Sequence, residues 1–263
     1  MLPQALAALP IPLSDLASQN VLAVFVVFCR VGACLMLVPG FGSGRVPMQI
    51  RLMVAVAVSL ALAPGLVDGI LGVIRLRAEA VPVALICSEL LIGVTIGLMC
   101  RLFFLALQAM VTLMATMIGY SGAMGISLED NEPEATLASF VGLAAVVVLF
   151  LTDQHWEILR GILQSYKYWP VTGTLSPHYL LVKVTDVLAM SFHVCLRLSS
   201  PFIVFGLILN FAVGLINKFT PQIPVYFIAT PFILAAGLML LFFVSSDFIH
   251  LFITAFADWL RRG

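Results

Sequence analysis

The chain has 263 residues, of which 62% are hydrophobic and 10% are charged, and its mean hydropathy is +1.14. A soluble domain of this length needs more charge to cover its surface, so the composition predicts a polytopic membrane protein. The 13 basic and 13 acidic residues give a formal net charge of zero, which argues against a nucleic-acid-binding surface and against a polybasic membrane patch.

Apolar runs separated by short connections predict the helices of the first part of the chain. The stretch of residues 68–79, which carries Arg75 and Arg77, is interpreted as a connection. The run that begins at residue 81 continues past Arg101 almost without a break. The predicted helical runs cover residues 16–38, 50–67, 81–99, 102–118 and 137–151.

Arg30 and Glu89 lie well inside these apolar runs, and Arg101 lies between the runs 81–99 and 102–118. A charge within such a helix is costly and by default faces a protein interior or water. Glu89 can pair with Arg30 or with Arg101, and Arg30 can serve either as a structural ion pair or as a pore-lining group. Gly93 and Gly97 form a small-xxx-small face, which predicts the close approach of a second helix.

Residues 112–134 differ from the rest of the chain because they combine glycine, methionine and acidic residues. Three glycines within seven residues weaken a helix, and irregular backbone at membrane depth survives only where protein buries it or water lines it. We therefore predict a loop that faces an internal passage. The methionines either fill a core or form an apolar seal that yields to varied chains. The candidate seal residues are Met114, Met117, Gly119, Gly122, Met124 and Gly125.

Residues 153–169 predict an amphipathic helix at the membrane–water interface. Apolar side chains recur there at helical spacing among polar ones, and the aromatic residues Trp156, Tyr166, Tyr168 and Trp169 are typical of this boundary. Pro170 is expected to end the helix.

The last third of the chain consists of two long apolar arms around the break 218–224. At 1.5 Å per residue each arm reaches about 60 Å, twice the thickness of a hydrocarbon core. Either each arm forms two spans, or the pair forms a long hairpin packed on neighbouring subunits. The charges along the first arm favour the hairpin, with kinks expected at Pro201 and Pro231.

Two other classes of function are an intramembrane protease and a small-solute transporter. The sequence Gly-Tyr-Ser-Gly at 119–122 matches the G-x-S-G of rhomboid intramembrane proteases, with Ser121 as nucleophile and His155, His193 or His250 as base. A small-solute transporter would predict an internal repeat, and none is visible. The histidines lack metal-ligand spacing, so no cofactor or metal is expected.

Residues spread nearly end to end, among them Arg30, Gly93, Gly97 and the tract 209–222, resemble those of the FliR family of type III secretion export-gate proteins, which includes injectisome relatives. The chain departs from the family at Gln154, where a glycine is frequent, and in the more acidic stretch 128–134. The most specific match is the tract 209–222, which leads to Pro231. The other matching residues are Arg30, Gly32, 45–47, Ala63, Pro64, 90–93, Gly97, 119–133, His155, 165–166 and Pro170.

The resemblance implies an all-α integral membrane protein in two parts. A FliP-like part, 1–176, would contain the plug loop 112–134, in which the family's plug carries over to 114–127, and the interfacial helix 153–169. A FliQ-like helical hairpin, 177–263, would follow. The hairpin tip would include Asn217, Lys218, Pro221 and Gln222.

The resemblance also implies a non-enzymatic subunit of a closed export gate in the flagellar basal body of the bacterial inner membrane. One copy would join several FliP and FliQ subunits and pass unfolded flagellar subunits. The hairpin tip would point at the cytoplasmic entrance and FlhB. An injectisome export gate is the nearest alternative.

Overall fold

The computed structural model describes residues 13–43, 46–76, 82–120, 124–126, 133–171 and 177–262. A 3-10 turn at Ala63–Gly65 follows the second helix, and two short strands, β1 (Met124–Ile126) and β2 (Pro133–Ala135), pair antiparallel. The helices are α1 (Leu13–Leu37), α2 (Met48–Leu62), α3 (Val67–Leu76), α4 (Pro82–Met117), α5 (Thr136–Leu151), α6 (Gln154–Tyr168), α7 (Pro177–Phe219) and α8 (Val225–Arg262).

Five of the described helices are long and apolar enough to span a membrane. Helices α5 and α6, which are bent by 76° at a short break, add a sixth if together they form one broken span. The prediction of an all-helical membrane protein is therefore confirmed, with two three-residue strands as the exception in the described residues. The five spans are Gln19–Leu37, Met48–Gly65, Val83–Met117, Pro177–Phe219 and Val225–Ser245.

Helix α4 packs against α1 along one side and against α7 along another, while α2 and α3 pack on α1. Gly93 and Gly97 permit the approach of α1. A Cβ atom at Gly93 would meet the carbonyl oxygen of Arg30, and one at Gly97 would lie 2.7 Å from the carbonyl oxygen of Cys34. Backbone cannot yield as a flexible side chain does, so glycine is required at both positions. The predicted small-xxx-small contact is confirmed.

Helices α7 and α8 form a long hairpin, which settles the choice between one long helix and two spans in each arm. Helix α7 continues through Pro201 and helix α8 continues through Pro231. With 43 residues, α7 is about 65 Å long. The C-terminal half of α8 packs aromatic rings on α4: the Phe104 ring centroid lies 5.4 Å from that of Phe252 and 5.7 Å from that of Phe256.

Residues 68–79 are not simply a connection, because Val67–Leu76 forms helix α3. The apolar residues Val67, Ile70 and Leu71 fall at helical spacing and pack into the core that α1 shares. Gly69, Gly72 and Asp68 gave this stretch the composition of a loop. Packing of one face has overridden that weak local preference.

Candidate functional site

The candidate site is the C-terminal end of α4, where the glycine-rich segment begins. Met110, Met114 and Ile118 are buried, and they follow one another at a spacing of four residues on one face of the helix. Met117 is half-buried beside them. The last turns of α4 therefore present methionine and isoleucine to the protein interior.

A glycine ends α4. Gly119 has φ +76°, a left-handed conformation that residues with a Cβ rarely adopt. Its N–H donates to the carbonyl of Thr116 at 3.1 Å, and the N–H of Tyr120 donates to the carbonyl of Ala115 at 2.8 Å. These two bonds define a Schellman motif, with Gly119 in the position that favours glycine. The predicted loss of helix in this stretch thus has a specific backbone cause.

Two other glycines hold the end of α4 against the hairpin. A Cβ atom at Gly206 of α7 would lie 2.8 Å from the Cβ of Met117, and one at Gly237 of α8 would lie 2.5 Å from the Cβ of Ile118. We call Gly206, Gly237, Met117 and Ile118 the glycine clamp. Because the clamp joins both hairpin helices to α4, it fixes the base of the segment that follows.

The segment beyond Tyr120 returns to α5 through the two strands. Met124 pairs with Ala135, Gly125 with Glu134 and Ile126 with Pro133, and β2 leads directly into α5. Residues 121–123 and 127–132 lie outside the described residues, and with them Gly122, Ser121 and most of the acidic stretch. The described part of 114–127 is therefore a helix end, a turn and an extended strand, rather than one continuous helix.

A second group of predicted residues forms a buried ion pair between α1 and α4. Arg30 Nε donates to Glu89 Oε2 at 2.6 Å, and Arg30 Nη2 donates to Glu89 Oε1 at 2.7 Å. Both side chains are fully buried in the described structure. Of the two partners that the sequence left open for Glu89, the structure pairs it with Arg30.

Helix α6 supplies the remaining partners of this guanidinium. Arg30 Nη1 donates to Ser165 Oγ at 3.0 Å, and Nη2 also donates to the carbonyl oxygen of Trp169 at 3.0 Å. The ring of Tyr166 lies against the guanidinium, with its centroid 3.8 Å from Cζ. Arg30 therefore joins α1, α4 and the end of α6, and this arrangement gives it a structural role within the chain.

The other predicted residues lie apart from these two groups. Arg101 is half-buried on α4, 12 residues beyond Glu89 and thus about 18 Å further along the helix. Asn217 and Lys218 close α7, while Pro221 and Gln222 form the turn of the hairpin; all four are exposed. Eleven residues, or about 17 Å of helix, separate the glycine clamp at Gly206 from Asn217.

The residues nominated for other chemistry do not form a described site. His155 stacks on Phe150 with ring centroids 5.4 Å apart, and His193 and His250 are exposed. Within the described residues, no group of three or more histidine, cysteine, aspartate or glutamate side chains could hold a metal ion.

The sequence alone did not identify the residues that complete the buried ion pair or those that complete the glycine clamp. Ser165, Tyr166 and the Trp169 carbonyl are 135–139 positions from Arg30, and no local pattern links them to it. Gly206 and Gly214 look equivalent within α7, yet only Gly206 meets another helix; a Cβ at Gly214 would meet nothing within 4 Å.

These features define a polytopic helical membrane protein with a central capped helix, a buried ion pair and a long hairpin. The family model of bacterial export proteins, family 1, matches residues 21–259, and the chain belongs to this family. The resemblance predicted from the sequence is therefore confirmed, and the chain is a component of a bacterial export apparatus.

Relatives from distant bacteria cover most of the chain. The flagellar biosynthetic protein FliR of Caulobacter vibrioides is 32% identical over 217 residues, which are 82% of this chain and 85% of the relative. FliR of Aquifex aeolicus is 26% identical over 228 residues, covering 86% of each protein. FliR of Escherichia coli K12 is 24% identical over 212 residues, covering 81% of this chain and 80% of the relative.

Proposed function

We propose that the chain is a non-enzymatic, pore-forming core subunit of the flagellar type III protein export gate, and that residues 112–134 carry its plug. The observation that supports this most directly is the capped end of α4. There an apolar, methionine-rich helix gives way at Gly119 to a non-helical segment whose base the glycine clamp holds.

The closed state follows from the chemistry of this segment. Methionine side chains are unbranched and apolar, so they pack against irregular surfaces and exclude water and ions. Met114, Met117 and Met124, with Gly119, Gly122 and Gly125, would form a seal that opens when an unfolded polypeptide enters. Glycines lower the barrier to that change because they tolerate many backbone conformations.

The hairpin supports a role in an assembly with FliP and FliQ. Helix α7 is about 65 Å long, while a hydrocarbon core is about 30 Å thick, so lipid alone cannot cover it. Large apolar side chains of the outer hairpin, including Phe211, Phe227 and Phe242, are exposed in the single chain. Such a surface marks a protein interface or a lipid contact. We assign the part of it beyond the bilayer to neighbouring FliP and FliQ subunits in the inner membrane.

The exposed turn at Pro221 and Gln222 is the end of the hairpin farthest from the start of α7. In the proposed gate this tip faces the cytoplasmic entrance, where FlhB and the export substrates meet it. The curated relatives are named as flagellar proteins, which favours flagellar over injectisome use.

Deletion of residues 119–125 tests the plug. The complex, purified through a tag on this chain, should assemble with unchanged mass and should conduct small ions in a planar bilayer, whereas the wild-type complex should not. Gly214→Ala is the control, because this position has open space around it and lies outside the plug. An assembled deletion complex with wild-type conductance would rule out the plug assignment.

A further inference from the structure

A cavity of about 500 Å³ lies between α4, α6, α7 and α8, next to the buried ion pair. Ile96, Met99, Val187 and Met190 give it an apolar floor. We call this cavity the α6–α7 pocket. Its polar lining residues are Gln164, Ser165, Tyr168, Trp169, Tyr179, Lys183, Asp186 and Trp259.

The pocket carries one charge of each sign on neighbouring turns of α7. Lys183 and Asp186 are three residues apart and both line the cavity. Lys183 Nζ lies 5.9 Å from the centroid of the Tyr179 ring. Among the described residues, neither the lysine nor the aspartate forms an ion pair, although they lie on one helix face. The pocket therefore offers a free cation and a free anion side by side.

Aromatic residues border the charges. Trp169 and Tyr179 meet edge to face, with ring centroids 6.2 Å apart, and Tyr168 and Trp259 complete the border. Indole N–H and phenol O–H groups donate hydrogen bonds, and their ring faces attract ammonium groups. Amphipathic aromatic residues of this kind concentrate at the headgroup level of membranes.

The pocket lies near one end of α7 and near one end of α8. Lys183 is six residues from the start of α7, about 9 Å along its axis, and Trp259 is three residues from the end of α8. The amphipathic helix α6 forms one wall. The pocket therefore lies near the ends of α7 and α8 that are opposite the hairpin tip, and its Trp259 lies beyond the apolar span Val225–Ser245 of α8.

We propose that the α6–α7 pocket binds the headgroup of a zwitterionic phospholipid of the phosphoethanolamine type. The phosphate contacts Lys183 and the indole and amide donors, while the primary ammonium contacts Asp186 and the aromatic faces. The apolar floor takes the first carbons of an acyl chain. An anionic headgroup would face Asp186 without a compensating cation, and a choline headgroup has no N–H to donate to its carboxylate.

The bound lipid would also stabilise the ion pair. Ser165 and Trp169 line the pocket and accept hydrogen bonds from Arg30, through the hydroxyl of one and the carbonyl of the other. A ligand that orders the end of α6 therefore holds these two acceptors in place. This effect makes the lipid a structural partner of the chain as well as a surface contact.

Native mass spectrometry of the full chain in detergent tests the proposal. Phosphatidylethanolamine, phosphatidylglycerol and phosphatidylcholine with identical acyl chains are added in equal amounts, and the retained lipid is counted. Phosphatidylethanolamine should be retained about tenfold over the other two, as the gain of one charge-assisted contact implies. Equal retention of all three lipids by the wild-type chain would overturn the proposal.

Charge substitutions separate the two halves of the headgroup. Asp186→Asn should remove the preference for phosphatidylethanolamine over phosphatidylcholine, and Lys183→Gln should weaken retention of every phospholipid. Lys167→Gln on α6 and Asp247→Asn on α8 are matched controls, since both residues are exposed and neither lines the pocket. The proposal fails if the controls lose lipid as the pocket variants do, or if Asp186→Asn keeps the wild-type preference.

A second measurement uses the tryptophans. Two of the three in the chain, Trp169 and Trp259, line the pocket. Phosphatidylethanolamine should change their emission when it is titrated into the detergent-solubilised chain, whereas phosphatidylcholine should not. Trp259→Phe should reduce the change and Trp156→Phe should leave it intact. An identical response to both lipids would contradict the proposal.

Discussion

Arg30 shows how one residue can organise contacts far apart in sequence. Its guanidinium donates four hydrogen bonds, two to Glu89, one to Ser165 and one to the Trp169 carbonyl, and stacks on Tyr166 within a buried site. A buried ion pair is a weak source of net stability, but removing one member leaves an uncompensated charge. The pair therefore sets the relative positions of α1, α4 and α6.

Glu89→Gln should lower the free energy of unfolding by about 3–5 kcal/mol, because it leaves the Arg30 charge without its carboxylate in a buried site. The double variant Arg30→Met with Glu89→Met should recover most of this loss. Thermal unfolding of the full chain in detergent measures both. Arg160→Gln, which removes an exposed pair with Glu157, should change stability by less than about 1 kcal/mol. A double variant as unstable as the single one would contradict this account.

Gly119→Ala should destabilise the chain by about 1–2 kcal/mol, because alanine in the left-handed region carries a Cβ penalty at φ +76°. A Cβ atom at this position would meet no other atom within 4 Å, so a steric clash does not cause the expected loss of stability. Gly72→Ala in α3 is the control: its surroundings are equally open and its backbone is helical, so alanine should be neutral or stabilising. Equal loss of stability in both variants would refute the capping role.

Residue roles were only partly predictable from the sequence. The intramembrane charges could be singled out because a charge inside an apolar run is unusual, and the break at Gly119 because glycines cluster there. The partner of Glu89 could not be chosen, since Arg30 and Arg101 are equal candidates until helix packing is known. No local pattern linked Ser165 to Arg30 or Gly237 to the end of α4.

At the scale of elements, the glycine clamp joins the hairpin to the end of α4. Alanine at Gly206 would bring its Cβ to 2.8 Å from the Cβ of Met117, and alanine at Gly237 to 2.5 Å from the Cβ of Ile118. Because the backbone fixes both of these Cβ atoms, the helices themselves must shift in either variant, and further at Gly237. Overpacking of this kind costs about 1–3 kcal/mol. We expect both variants to lower the unfolding temperature, with the larger effect at Gly237.

The clamp prediction also has a functional readout. If the hairpin holds the base of the plug, Gly237→Ala should raise ion leakage through the assembled complex and reduce swimming of complemented cells. Gly214→Ala lies on the same hairpin in open space and should behave as wild type. If Gly237→Ala lowered stability without any change in conductance, the glycine clamp would not be what holds the plug closed.

Element boundaries followed the hydrophobic pattern wherever a run was long. Helices α1, α2, α5 and α6 begin and end within a few residues of the predicted bounds, and α7 and α8 extend through their prolines. Helix α3 was not predicted, because its ten residues include two glycines and this composition is typical of a connection. Its stability comes from burying Ile70 and its neighbours against α1, which local sequence does not report.

At the scale of the whole molecule, the chain divides into a packed bundle and a projecting hairpin. The rings of Phe252 and Phe256 are buried against α4, whereas Phe227, Phe232 and Phe242 in the other half of α8 are exposed. The span Val225–Ser245 is almost unburied within the single chain. The composition of α8 follows this division only in part: the projecting half carries no charged residue, whereas the packed half carries Asp247, Asp258, Arg261 and Arg262 and yet buries Phe252 and Phe256.

Photo-crosslinking can show whether protein or lipid covers the projecting half of α8. A photo-crosslinking amino acid at Phe227, which is 82% exposed, should capture another export protein in cells. The physical reason is that α7 and α8 each exceed about 55 Å, so a hydrocarbon core of about 30 Å cannot cover the whole of both helices. The same amino acid at Phe202, which is fully buried, should give no intermolecular adduct. Adducts at Phe227 that contain lipid alone would place this end of the hairpin within the bilayer and remove the main support for an assembly built around it.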